Sequence, residues 1–162
     1  MRTTTSKPAE TADALSWQES FPALRDSVPT LRARVRGELL KWGYSEVVID
    51  DAEVVVAELA SNAVIHGSSG PDGDFEVFLA AGAAGLEVAV GDASSKLPAR
   101  IEAAEDNDHG RGLVLVQALS LEWKSILSPG GGKRIWALIA AESLPGARQS
   151  QHAGQGSEVI VC

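Results

Sequence analysis

Cysteine is almost missing from this chain: Cys162, the last of 162 residues, is the only one. That excludes an intramolecular disulfide framework and any multi-cysteine zinc site, and a reducing interior is the natural home. Basic charge is short as well, with 14 Lys and Arg against 22 Asp and Glu and a formal net charge of -8. No basic stripe is there to neutralise phosphates along a duplex, so direct nucleic-acid binding is not expected. An acidic surface suits solubility and a basic partner. No apolar run reaches the roughly 20 residues that span a bilayer, and the opening MRTTTSKPAETAD has no signal-like apolar core. The expectation is a cytoplasmic protein without a membrane partner. With 44% hydrophobic residues the chain has material for one core and little room for two.

What the chain does have is ELASNAVIHG, residues 58–67. It sets Glu58, Asn62 and His66 at four-residue intervals, so an α-helix stacks them on one face. Val54, Val55 and Leu59 supply an apolar stripe, which places the polar triplet beside the core-facing side. An amide oxygen held there is a suitable ligand for magnesium when a polyphosphate completes the shell, because hard cations take oxygen donors and keep several waters. Glu58, one turn earlier, is then placed to act as a base. The same spacing serves equally for a helix whose Glu and Asn only cap or bond their neighbours.

Around this stretch the chain divides into short periodic pieces. Residues 1–13 read as a mobile tail. Leu15, Trp17 and Phe21 alternate loosely as a first strand, which Pro22 ends or confines to an edge. From Ser27, the residues Val28, Leu31, Val35, Leu39 and Leu40 follow a helical period with Pro29 in the first turn and Gly43 as the stop. Arg32, Arg34 and Arg36 on that helix read as a solvated face. A second helix is expected from Asp50 or Asp51, whose carboxylates suit a helix N-terminus, to just before Gly67.

After SSGPDGD, which is turn chemistry, Phe75, Val77 and Leu79 and then Leu86, Val88 and Val90 alternate as a hairpin around Gly82 and Gly85. Asp92 is left at a strand's end. Residues 93–108 lack a period and read as a lid. In HGRGLVLVQAL, Gly110 and Gly112 precede the apolar helical run Leu113, Val116 and Leu119, and amides at a glycine-rich helix start receive anions. As a dinucleotide fingerprint the motif is weak, since Leu115 stands where a third glycine would be, and an ordinary loop fits it as well. Residues 121–127 and 134–140 read as another hairpin. The tail from Glu142 has no period, and within it residues 158–162 form a candidate docking segment.

Taken together, ELASNAVIHG, the strand-end Asp92 and HGRGLVLV resemble, in order and spacing, the ATP-binding domain of the histidine-kinase and Hsp90-like ATPase superfamily. WGYSEVVIDDAEVVVAELASNAV and GGGKRIWALI extend the likeness to small stand-alone members of actinobacterial type related to anti-sigma factor serine kinases, over about residues 15–141. The resemblance implies an α/β two-layer sandwich of the Bergerat type: a mixed, mostly antiparallel sheet with helices on one face. It would form one ATP-binding domain of residues 14–141 between the tails 1–13 and 142–162, with nucleotide held between the helices and the lid.

By the same resemblance, Asn62 matches the magnesium-binding asparagine, Glu58 the acidic residue that activates the attacking hydroxyl, and Asp92 the aspartate that reads adenine. Gly110, Arg111, Gly112 and Leu113 match the turn that receives phosphate. His66 matches a frequent family histidine without an assigned role and is grouped with the nucleotide-binding set. ATP and magnesium are the implied cofactors. Three positions depart from the pattern: Ala93, Ser94, Ser95 and Lys96 follow Asp92 where Asp-x-Gly-x-Gly is usual, Asp108 stands where kinases of the group can place an arginine, and Arg134 stands where relatives often have a threonine near the base. The implied activity is phosphorylation of a serine on a small anti-sigma antagonist protein, with a sigma factor as a second partner. The alternative is a nucleotide-binding or nucleotide-free module that sequesters a partner without chemistry. Relatives often form homodimers, and no stretch here marks an interface.

Overall fold

The computed structural model describes residues 15–67, 72–95 and 111–144, and by backbone alone 159–161. Its strands are β1 (Ser16–Pro22), β2 (Asp74–Gly82), β3 (Gly85–Asp92), β4 (Glu122–Leu127), β5 (Lys133–Ile139) and β6 (Val159–Val161), in the sheet order β1-β2-β3-β5-β4-β6. Every pairing among the described strands is antiparallel. Pro22 is tolerated because β1 lies at the sheet's edge, where a missing N–H costs no ladder bond.

Period-two alternation decides which side chains meet the helices. Phe75, Val77 and Leu79 of β2, Leu86, Val88 and Val90 of β3, and Ile135, Ala137 and Ile139 of β5 all point into one buried core. The helices α1 (Ser27–Trp42), α2 (Glu46–His66) and α3 (Arg111–Leu119) cover that face, with α2 touching both other helices and the central strands. This is the two-layer arrangement expected from the sequence. Among the described residues no helix is long and apolar enough to cross a membrane.

The chain buries Leu31, Val35 and Leu39 of α1 at four-residue spacing, then stops the helix at Gly43, whose φ of 89° lets its amide bond the Leu39 carbonyl at 3.1 Å. α2 begins at Glu46, four residues before the expected Asp50. The reason is that Ile49, Ala52 and Glu53 already carry the buried stripe that continues through Val55, Val56, Leu59, Ala60 and Ala63. Periodicity counted from Val54 misses that first stretch.

The early carboxylates of α2 also have a partner on α1. Arg36 donates to Glu53 at 2.6 Å and to Asp50 at 3.1 Å, and it bonds Glu46 as well. The hydrogen bonds to Glu53 and then Asp50 hold its guanidinium protonated more firmly than an ordinary arginine. Arg32 approaches Glu53 at 3.6 Å and Arg34 approaches Glu19 at 3.8 Å. The arginines expected as a plain solvated face therefore tie α1 to its neighbours, because the tertiary fold brings acidic side chains up against them.

Candidate functional site

Helix spacing puts Glu58 and Asn62 one turn apart on α2, both half-buried beside the core stripe, with His66 exposed at the helix end. The first turn of α3 is packed directly onto this acid. A Cβ on Gly112 would fall 2.5 Å from the Glu58 Oε2 oxygen, so only glycine lets α3 start where it does with Glu58 in place. The carboxylate thus sits against a helix N-terminus, where unpaired amides and the helix dipole favour anions. Leu113, next in α3, sends its side chain into the core at 6% exposure, so contact with a ligand would go through its backbone. Gly110 and the side chain of Arg111 lie outside the described residues, as does the lid expected over 93–108 from residue 96 on, Asp108 included.

The other end of α2 lies over the end of β3. A Cβ on Gly67 would come within 3.7 Å of the Asp92 Cβ, and Asp92 has the parity of Val88 and Val90, on the helix side of the sheet. Its carboxylate is fixed twice. Oδ1 accepts the Ser94 amide N–H at 2.8 Å, closing a tight turn onto the residue two positions on, and the Lys133 ammonium lies 3.1 Å from each oxygen. Both side chains are nearly fully buried, at 5% and 4% exposure. The Asp–Ser turn stands where glycines were expected.

Sequence reasoning missed Lys133 and named its neighbour. In the β3–β5 ladder Asp92 faces Lys133 and Gly91 faces Arg134. Arg134 therefore projects from the helix-free side of the sheet, where its Nε lies 3.7 Å from where a Gly91 Cβ would stand. The position beside the Asp92 carboxylate belongs to Lys133. The signal was available in KRIWALI: if Ile135, Ala137 and Ile139 face the core, Lys133 does too. Gly132 lets the strands close there, since its φ of 89° suits glycine and a Cβ would meet the Asp92 carbonyl oxygen at 2.5 Å.

A shallow cavity of about 400 Å³ opens on the helix-free side along Ser20, Asp74, Glu76, Gly91 and Arg134. It reaches Asp92 and Lys133 from behind the sheet and is separate from the Glu58–Gly112 contact. No group of three or more His, Cys, Asp or Glu side chains able to hold a metal occurs among the described residues. Among those residues a magnesium ion would therefore need phosphate oxygens and water to complete its shell, and the Asn62 amide oxygen is a donor of the right chemistry.

With this geometry in view, the known family that matches is the histidine kinase-like ATPase domain, over residues 21–138. The chain belongs to that family. Membership makes nucleotide binding the family property to be located on these residues. Among solved structures, the crystal structure of the RsbU and RsbW domains of Rv1364c from Mycobacterium tuberculosis is similar, with a TM-score of 0.56, 22% identity and 84% of this chain covered. The chain spans 34% of that protein chain, and the likeness is one of fold. No curated protein matches.

Proposed function

We propose that this histidine kinase-like ATPase domain is an ATP-binding regulatory protein that transfers the γ-phosphoryl group of ATP to a serine of a small antagonist protein, as an anti-sigma factor kinase. The observation that carries the reading is the Glu58 carboxylate set against the N-terminus of α3 at Gly112. From Glu58 to Gly67, over Asp92, is about 13 Å along α2 at 1.5 Å per residue, so base and phosphates have separate supports. The base lies towards Asp92, and the phosphates lie at the start of α3. Asn62 would hold magnesium, which supplies charge neutralisation on the phosphates. Glu58 orients the serine hydroxyl and accepts its proton as the oxygen bonds to the γ-phosphorus and ADP departs. The RsbW domain named in the similar structure supports the assignment to this kind of regulator.

One observation favours a second reading. Asp92 is already held by Lys133 and Ser94 without a ligand, as a partner-sequestering module without chemistry would allow. Incubation of the full chain with γ-labelled ATP, magnesium and small antagonist proteins separates the two. A serine-linked phosphoprotein that disappears in Glu58→Gln supports the kinase. Tight binding of the antagonist with no label transferred supports the module.

A further inference from the structure

Among the described residues, the pair of Asp92 and Lys133 has hydrogen-bonding capacity left unused. A carboxylate offers about four acceptor positions and an ammonium three donors. Within the described residues Oδ1 accepts from Ser94 and Lys133, and Oδ2 faces the same ammonium as an ion pair at 3.1 Å, so at least one position on each group is left over. One acceptor position on Oδ2 and one N–H of Lys133 therefore remain, side by side. The third N–H belongs to a side chain 4% exposed, where a polar hydrogen without an acceptor is costly. The strand register fixes both groups on the helix side, next to the end of α2.

An acceptor beside a donor complements an edge with a donor beside an acceptor. The Watson–Crick edge of a 6-aminopurine has that order, with the amino hydrogen next to the ring nitrogen N1. We infer that Lys133 is a second base-reading residue of this site, donating to N1 of the adenine ring while the free position of Asp92 accepts from the 6-amino group. The inference rests on the ATP reading above and adds to it. Lys133 also explains how the turn after Asp92 manages without glycines: the ammonium and the Ser94 amide fix the carboxylate from two sides, so its free oxygen position is set before a base arrives.

The test compares ATP with 1-deaza-ATP, which keeps the 6-amino group and replaces N1 by C–H, using calorimetry on the folded full chain with magnesium. Wild type should bind 1-deaza-ATP roughly 10- to 100-fold more weakly, the reach of a hydrogen bond from a charged donor. Lys133→Met should bind ATP more weakly by a similar factor and no longer tell the two nucleotides apart. Should that variant fail to fold after losing a buried charge partner, the comparison in wild type still decides. Equal affinity of wild type for both nucleotides, or tighter ATP binding by Lys133→Met, overturns the inference and leaves the ATP site standing. No ATP binding by folded wild type removes the ATP reading, and the inference with it.

Discussion

Glu46, Asp50 and Glu53 in the first half of α2 and Glu58, Asn62 and His66 in the second all recur at three- or four-residue helical intervals on one helix, yet they meet different surroundings. The first set faces α1, where Arg36 bonds all three carboxylates. Of the second set, Glu58 lies against the start of α3, where its neighbour Gly112 contributes backbone alone. A carboxylate matched by a guanidinium is a brace, and one set against bare helix-start amides remains available to an incoming group. Carboxylates on one helix thus meet a guanidinium in its first half and helix-start backbone in its second.

The largest expected effect falls on the chemical end. On the proposed kinase reading, Glu58→Gln keeps size and polarity while removing the base, so phosphotransfer to the antagonist should fall about 10²- to 10⁴-fold with ATP affinity nearly unchanged. Single-turnover transfer and calorimetry measure the two, and an unchanged transfer rate would put Glu58 in the same bracing class as Glu53. Gly112→Ala tests the contact itself. The new methyl group would collide with the Glu58 carboxylate, which is the movable end of a side chain, so the acid should be displaced and the fold retained. A misplacement of about 1 Å costs on the order of 10²-fold in rate. Circular dichroism should show a folded protein whose transfer rate has dropped, and a rate equal to wild type would break the contrast between the two halves.

At the structural end the pattern reverses. Arg36→Ala removes the partner of all three early carboxylates, and the nearly buried Glu53 is left with Arg32 alone. The melting temperature should fall by a few degrees, and ATP affinity should stay at the wild-type value. A change in nucleotide affinity would mean that the clamp reaches the site.

Tyr44, in the link between α1 and α2, should give the smallest change at neutral pH. Its hydroxyl is buried without a hydrogen-bond partner among the described residues, and burial raises its pKa above the usual 10.0. Because the folded value lies above the unfolded one, this group's contribution to stability is fully present below about pH 10 and is lost as the pH rises through the raised folded value. Tyr44→Phe should therefore match or slightly exceed wild type at pH 7 and lose less stability in alkaline solution. Denaturant melts at pH 7 and at pH above 10 read the difference, and equal alkaline losses would show that the phenol does not drive them.

Much of the scaffold was legible because it follows from local periods. Alternation in DFEVFLAAG and GLEVAVGD marked the hairpin, Gly43 stopped α1, and the fourfold spacing of Glu58, Asn62 and His66 stacked them on α2. The start of α2 was missed because Glu53, a charged residue, occupies a core-facing position and hides the stripe, and Arg36 and Arg32 compensate its charge there. Lys133 was missed for a related reason: a lysine at the head of a strand reads as a surface residue until a carboxylate is found opposite it.

By itself the sequence determined the period of each element and, through it, which side chains share a face, since those periods are properties of the backbone geometry. Which faces meet was decided by the tertiary structure. That Arg36 meets α2, that Gly112 presses on Glu58 and that Lys133 stands across from Asp92 depend on packing three helices over an antiparallel ladder, with partners separated by 17, 54 and 41 residues or fewer. The spacing of residues along the chain carries no information about charge pairs across it, because whether a buried charge is a cost or an asset depends on the one neighbour that the fold supplies.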